Sequence, residues 1–341
     1  MVSLSQFDPH RLAIVEELKD VLAPRQGFLY DLLRYHLGWA DQTGKPEEGP
    51  IPIHFPSLLA LVVCESVIGD FAPGLPVGAA VELVHNFTLV HGDVQSSRAT
   101  PDDRPSVWWI WGPAQAINAG DGLHALGRTT IMRLAQRGAP VDRVLRAVES
   151  LDRACLTLCE GQYMDLEFQD QLVVSSSSYY DMIGRKSGAL TACSAELGAL
   201  AAGADDEVCA AFREVGNRLG MAWQISLDIA DLWGRGADGM TPSNVLNKKK
   251  SLPLIHTMEN ATVAVKRELG TIYAKRVLQP EDVSRVITIL EDAGARQFVE
   301  SKARELAQEA VGALVDAGLP EERRSALIQL SDWVLEGKDS G

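Results

Sequence analysis

Three aspartates in the sequence are placed where they could hold a metal ion. Asp93 lies in HGDVQSS (91–97) at the end of an apolar helical stretch, and Asp228 and Asp231 lie three residues apart in WQISLDIAD (223–231). Residues three apart share one face of a helix. Two carboxylates on one face suit Mg²⁺, which takes only one or two protein carboxylates when phosphates supply other ligands. We therefore expect Mg²⁺ as the cofactor, with these three aspartates as ligands. A solvated pair near a helix end is the alternative for Asp228 and Asp231.

Lysines in two other segments could bind an anion. Lys186 lies among small residues in GRKSGA, and three consecutive lysines, Lys248, Lys249 and Lys250, directly precede the helix start SLP. Basic side chains beside a helix N-terminus form an anion site, although a solvated run of charge is the simpler interpretation of the triple lysine. Acids, cations and apolar helices would together suit a diphosphate with a long hydrocarbon tail. Mg²⁺ would assist departure of the diphosphate, and an apolar cavity would exclude water from the resulting cation.

The elements that must position these residues read as helices. Apolar residues recur at i, i+3, i+4 and i+7 in about ten stretches, the longest of which runs from 280 to 318. Turn-forming residues interrupt the pattern at 44–52, 71–76, 93–106 and 234–244, and none of these breaks is long enough for an interdomain linker. The pattern predicts an all-α fold, a single domain over 1–341 with about ten or more helices.

Composition excludes several classes of partner. The formal net charge is −14, from 32 Lys and Arg against 46 Asp and Glu. Nucleic acid or an anionic membrane would require a basic surface, so neither is expected as the main partner. The five cysteines form no C-x-x-C pair and predict buried thiols in a reducing compartment. No apolar run approaches the roughly 20 residues of a membrane span, and the N-terminus does not read as a signal peptide. We therefore expect a cytoplasmic location.

The order of six motifs resembles the polyprenyl synthetase family, the trans-prenyl diphosphate synthases of the isoprenoid synthase fold. The motifs are ELVHNFTLVHGD (82–93), RPSVWWIWGPAQAINAGDGL (104–123), GQYMDLEF (161–168), RKSGALTACSAELGALAAG (185–203), GMAWQISLDIAD (220–231) and KKKSLPLIH (248–256). The resemblance implies helices around a central apolar cavity, a prenyl diphosphate substrate, and a homodimer or a heterodimer with a related synthase. It also implies that the retained polar residues bind substrate or act on it: His85, Gln162, Asp165, Lys186, Gln224 and Lys250.

The sequence departs from the family pattern at both metal motifs. Each family motif is D-D-x-x-D. The first falls on Gly92, Asp93 and Ser96 and keeps only its middle aspartate. The second falls on Leu227, Asp228 and Asp231 and has lost its first aspartate. An aspartate that usually precedes the lysine run reads Asn244.

The departures also affect the arginines that grip phosphate in the family. The paired arginines fall on Pro101 and Asp102, and Arg98 or Arg104 could compensate for them from the same loop. The stretch TGKPEEGPIPIHFP (43–56) matches the motif for isopentenyl diphosphate only loosely. Lys45 is its candidate cation, while Ile53 and Phe55 occupy the arginine positions. Each lost charge-assisted contact to phosphate would cost roughly 1.5–3 kcal/mol.

These losses favour a divergent enzyme that ionises one allylic prenyl diphosphate, either a class I terpene synthase or cyclase or an atypical prenyltransferase. Trp223 could face the cation, because aromatic faces stabilise positive charge, and Phe87 could form the cavity wall. The simpler interpretation of both is a core aromatic. Three alternatives remain open: a non-catalytic partner subunit of an active synthase, a protein that binds a prenyl lipid without reacting it, and an ordinary chain-elongating synthase with weakened motifs.

Overall fold

The computed structural model describes residues 5–47, 52–97, 104–171, 173–234, 242–316 and 319–337. The regular elements of these ranges are helices, and the only extended pairing among them is an isolated bridge between Ala40 and Pro46. The predicted all-α fold is confirmed. None of the described helices is both long and apolar enough to cross a bilayer.

Sixteen α-helices follow one another in the described part of the chain. Those of the first half are α1 (Asp8–Leu22), α2 (Phe28–His36), α3 (Phe55–Ile68), α4 (Leu75–Ser96), α5 (Val107–Trp111), α6 (Pro113–Ile131), α7 (Val141–Asp170) and α8 (Ser176–Ile183). Those of the second half are α9 (Ala189–Ala201), α10 (Asp206–Trp233), α11 (Ser243–Leu246), α12 (Leu252–Asn260), α13 (Val263–Tyr273), α14 (Pro280–Asp292), α15 (Ala295–Asp316) and α16 (Glu321–Val334). One turn of π-helix, Gly184–Gly188, joins α8 to α9.

One long predicted stretch is divided in the structure. The periodic segment 280–318 forms two helices, α14 and α15, separated at Gly294, whose φ is +72°. That left-handed conformation is open to glycine at little cost and ends an α-helix. The apolar period continues across the break, which is why the sequence pattern alone predicts one helix.

The centre of the fold is α3, whose sequence FPSLLALVVCESVI is apolar on every side. It packs against α4, α9 and α16. Helices α4 and α6 pack antiparallel to each other, since Gly120 faces His91 whereas Gly127 faces Val84. The main hydrophobic core includes residues from Phe7 to Val334, and a smaller core forms among α12, α13, α14 and the end of α10. The single-domain assignment over 1–341 stays a prediction.

The cysteines are all free thiols. Four of them are buried, as predicted, but Cys159 is exposed. The prediction was wrong at Cys159 because this residue lies on the wall of an open cavity rather than in the core.

Candidate functional site

A cavity of about 1200 Å³ opens between α4, α6, α7 and α10. Its polar end carries Asp93, Gln162, Lys186, Gln224 and Lys249. Apolar and aromatic side chains, including Leu158, Leu166, Leu190 and Trp223, line the part between this end and the opposite wall. A cavity with a few convergent polar groups and apolar walls is the usual form of a ligand site. It brings together most of the residues that the sequence singled out.

Lys186 reaches the cavity from the π-helical turn between α8 and α9. A Cβ atom at Gly161 of α7 would overlap the backbone nitrogen of Lys186, so only glycine allows α7 and this turn to pack so closely. The Lys186 ammonium lies 2.6 Å from a carboxylate oxygen of Asp165, which is buried. Burial alone would raise the pKa of Asp165, but the charges of Lys186 and Lys249 hold it below the usual value. Asp165 thus holds the end of the Lys186 side chain in place.

Lys249 lies near Lys186, and the two ammonium groups form the cationic end of the cavity. The charge of Lys186 lowers the pKa of Lys249, and burial lowers it further, while Asp165 and Asp228 oppose this. Two neighbouring cations repel each other, and a bound anion would relieve that repulsion. This pair is therefore the strongest anion site of the cavity.

Lys250 points elsewhere. Its Nζ donates to the backbone oxygens of Gln169 and Lys248, each at 3.0 Å, and it lines a smaller neighbouring cavity. The cause is the turn that ends α11. Lys248 has a φ of +55°, and the bonds from Lys248 N to Val245 O and from Lys249 N to Asn244 O form a Schellman motif. The turn directs consecutive lysines to different cavities. Of the three predicted substrate-binding lysines, Lys45, Lys249 and Lys250, only Lys249 lines the main one.

Asp228 lies in a buried hydrogen-bond cluster behind the cavity wall. Its carboxylate accepts from Tyr179 Oη at 2.8 Å, Gln224 Nε2 at 3.2 Å and Asn244 Nδ2 at 3.4 Å. Burial raises the pKa of Asp228 to about 6, although the Tyr179 hydrogen bond and nearby lysines lower it. Ser187 Oγ donates to Gln224 Oε1 at 2.6 Å and so turns the amide nitrogen toward Asp228.

Asp231 and Asp93 are placed differently from each other. Asp231 accepts the backbone N–H of Asn244 at 3.0 Å, and like Asp228 it is not among the residues that line the cavity. Asp93 does line it. At the third position of the first metal motif, the Ser96 hydroxyl donates to the backbone oxygen of Gly92 at 2.7 Å within its own helix.

The fit of these residues to Mg²⁺ is limited. Within the ranges that the structure describes, no group of three or more His, Cys, Asp or Glu side chains is placed to share a metal ion. The described residues alone therefore do not form a magnesium site. They would suit an ion bound mainly by diphosphate oxygens, with Asp93 as its protein ligand, because Mg²⁺ accepts a single carboxylate in such sites. The assignment of Asp93, Asp228 and Asp231 as metal ligands stays a prediction.

Aromatic rings form the walls beyond the polar end. Phe87 lies edge-on between the rings of His91 and His124, with centroids 5.0 and 5.4 Å away. The buried rings of His85 and Trp223 are 5.8 Å apart, and both line the cavity. Phe87 and Trp223 thus both line the cavity. The sequence alone had left open whether they are cavity residues or ordinary core aromatics.

Both positions where the family motif for isopentenyl diphosphate has phosphate-binding arginines are occupied here by buried apolar residues. Ile53 and Phe55 are buried, and the Phe55 ring lies 5.5 Å from that of Trp223 and 6.1 Å from that of Trp333. Lys45 is exposed in the loop before α3 and does not line the cavity. The positions 98–103, which include Arg98, Pro101 and Asp102, lie outside the described residues. Arg104 is described, and it pairs with Glu47 at 2.8 Å and stacks on Tyr35.

Sequence reasoning missed Tyr179, Ser187 and His124. Tyr179 lies seven residues before Lys186, two helical turns on an ordinary helix, and that spacing was the available signal. No sequence pattern marked Ser187 or His124. Ser187 reaches the site through the π-helical turn, and His124 reaches it through the antiparallel packing of α4 and α6.

The fold and the cavity define a class: an all-helical protein whose central cavity has a cationic end and apolar walls. Residues 57–290 match the family model described as polyprenyl synthetase, and the chain belongs to that family. It is 36% identical over 306 residues to the geranylgeranyl diphosphate synthase of Mycobacterium tuberculosis, covering 89% of this chain and 84% of that protein.

Solved structures resemble the chain along nearly its whole length. The polyprenyl synthetase from Streptomyces coelicolor A3(2) is 30% identical with a TM-score of 0.87, and the match covers 95% of this chain and 97% of that one. The geranylgeranyl pyrophosphate synthetase from Pyrococcus horikoshii Ot3 is 29% identical with a TM-score of 0.83, with 98% of both chains covered. These similarities confirm the isoprenoid synthase fold that the motifs imply.

Proposed function

We propose that the protein is an enzyme that ionises a single allylic prenyl diphosphate rather than joining two diphosphate substrates. One observation supports the proposal: Lys186 and Lys249 form a cationic end of the cavity, whereas Arg128, which also lines it, is paired with Asp152 at 2.8 Å. Buried Ile53 and Phe55 stand where the family pattern has the arginines of a second phosphate clamp. The names of the relatives, all prenyl diphosphate synthases, support the substrate class.

In the bound state the diphosphate would lie against Lys186 and Lys249, with the hydrocarbon chain along the wall that includes Phe87 and Trp223. Each charge-assisted contact from a lysine contributes about 1.5–3 kcal/mol. The allylic C–O bond then breaks, and its electron pair leaves with the diphosphate. Mg²⁺ would supply Lewis-acid stabilisation of that departing group.

The cation that remains is allylic and would lie in a cavity lined by aromatic rings. The ring of Trp223 can stabilise the positive charge through its quadrupole, and apolar walls exclude water that would capture it. Loss of a proton after cyclisation would make the protein a terpene synthase or cyclase. Capture by another nucleophile would make it an atypical prenyltransferase.

The test is incubation of the protein with Mg²⁺ and prenyl diphosphates of graded chain length, without isopentenyl diphosphate. The proposal expects release of inorganic diphosphate, with a hydrocarbon or prenylated product identified by mass spectrometry. Release that requires isopentenyl diphosphate, with a lengthened diphosphate as product, would instead establish ordinary chain elongation.

The hydrogen bonding of Asp228 favours a second candidate function, that of a non-catalytic partner subunit. Its carboxylate accepts three hydrogen bonds within the protein, and the described residues provide no ready metal centre. A partner subunit that modulates an active synthase would need neither an available Asp228 carboxylate nor a metal centre of its own. That function predicts no diphosphate release by the protein alone, together with a changed product length when it is mixed with an active synthase. In either case we propose a dimer, of two copies or with a related chain, and a cytoplasmic location.

A further inference from the structure

A second cavity of about 220 Å³ lies beside the main one, and the proposed function makes no use of it. It forms where the end of α7 meets α12 and α13, and Gln169 lines both cavities. Leu254, Met258 and Leu269 give it apolar walls. Since water occupies about 30 Å³ per molecule, the space equals about seven waters, enough for a small organic ligand.

Lys250 is the cation of this second cavity. Its side chain is 7% exposed, and its ammonium group donates to two backbone oxygens, those of Gln169 and Lys248. An ammonium group has three donors, so one is left over. No carboxylate of the described ranges forms an ion pair with Lys250, and a buried charge without a counter-ion is costly. The charged groups that share the cavity are Lys248 and the exposed Asp170.

Tyr273 adds a flat aromatic wall. The Lys250 ammonium lies 5.6 Å from the centroid of the Tyr273 ring, and both residues line the cavity. The cavity therefore combines a buried cation and an aromatic ring with apolar walls.

We propose that this second cavity binds a small amphipathic carboxylate, with its headgroup on Lys250 and its hydrocarbon chain against Leu254, Met258 and Leu269. The carboxylate supplies a directly paired counter-ion, since the exposed Asp170 acts on Lys250 electrostatically without forming an ion pair. The apolar walls select against inorganic anions. Because the site depends on Lys250 and not on Lys186 or Lys249, the proposal stands independently of the chemistry of the main cavity.

The experiment is isothermal titration of the full chain with octanoate. We expect saturable binding at one site, and Lys250→Met should weaken it by about ten-fold or more, the effect of removing one charge-assisted contact. The neutral analogue octanamide and inorganic phosphate should bind much more weakly than octanoate. Lys186→Met should leave octanoate binding unchanged, which separates this site from the main cavity.

A second variant tests the cavity itself while keeping the lysine. Met258→Trp fills the apolar part and should abolish octanoate binding, with circular dichroism showing an intact fold. The proposal is overturned if the wild-type protein shows no saturable binding, or if Lys250→Met binds octanoate as the wild type does. It is also overturned if Lys250→Met lowers only the melting temperature, because Lys250 would then act solely as a cap on the carbonyl groups at the end of α7.

Discussion

At the scale of single residues, the cavity depends on two lysines with different neighbours. Lys186 is held 2.6 Å from the buried carboxylate of Asp165, whereas Lys249 reaches the same region from the turn after α11. Asp165 cancels part of the charge, so the pair carries a net positive charge toward the cavity. A diphosphate would be bound by that net charge and by direct hydrogen bonds from both ammonium groups.

Lys186→Met and Lys249→Met should each weaken the binding of a prenyl diphosphate. One charge-assisted contact of about 1.5–3 kcal/mol corresponds to roughly a ten- to hundred-fold rise in Kd. Titration calorimetry with an unreactive thiolo-diphosphate analogue measures this. Lys275→Met, which removes an exposed lysine paired with Asp282, is the matched control and should bind like the wild type. Unchanged Kd in both cavity variants would place the anion site elsewhere.

Asp228 gives the site a characteristic dependence on pH. Burial raises its pKa from 3.8 to about 6, so between these values the folded state holds a proton that the unfolded chain has lost. The contribution of Asp228 to stability is therefore present below about pH 4 and is lost as pH rises through 6. The free energy of unfolding of the wild type, relative to Asp228→Asn, should fall across this window in denaturant titrations.

Tyr179→Phe provides the control for this assignment. The Tyr179 hydroxyl donates to Asp228 and favours its charged form, so removing it should raise the pKa of Asp228 in the folded state. The fall in the free energy of unfolding should then extend to higher pH. A difference curve between wild type and Asp228→Asn that is flat from pH 4 to 7 would contradict the raised pKa.

At the scale of elements, the close packing of α7 against the π-helical turn sets the position of Lys186. Such turns occur often at functional sites, because they place a side chain that a regular helix would direct elsewhere. The contact depends on Gly161, where a Cβ atom would meet the backbone of Lys186. Backbone atoms, unlike the end of a flexible side chain, can make room only if the whole turn shifts.

Gly161→Ala should therefore displace the turn, lower the stability by about 1–3 kcal/mol and weaken prenyl diphosphate binding as Lys186→Met does. Gly312→Ala is the matched control. Gly312 lies within α15 with open space around it, so alanine there should raise stability by about 0.4–1 kcal/mol. Thermal unfolding and calorimetric titration measure both effects. Binding that is unaffected in Gly161→Ala would show that the turn does not position the lysine.

Some elements were predictable and others were not. The apolar periods of α3, α4, α7 and α10 are strong enough to predict their helices, and the motif order places Asp93, Lys186 and Gln224 beside one cavity. The sequence could not distinguish Lys249 from Lys250, because the left-handed conformation at Lys248 separates them. It also could not show that the Asp228 carboxylate accepts hydrogen bonds from Tyr179 and Asn244, since these two residues lie in other segments of the chain.

At the scale of the whole molecule, the fold is that of a family whose named relatives include geranylgeranyl and farnesyl diphosphate synthases. The proposal of a single diphosphate site rests on two residues before and within α3. The arginine positions of the family pattern hold Ile53 and Phe55; both are buried, and the Phe55 ring packs against those of Trp223 and Trp333. We propose that these buried side chains provide no second phosphate site, so that the cavity takes one diphosphate.

The most direct test of a single diphosphate site is a sequential calorimetric titration in the presence of Mg²⁺. The protein is first saturated with an unreactive allylic thiolo-diphosphate and then titrated with isopentenyl diphosphate. The single-site account predicts one-to-one binding of the allylic analogue and no saturable heat from isopentenyl diphosphate. Stoichiometric binding of isopentenyl diphosphate to the saturated protein would contradict this account and would indicate a chain-elongating synthase.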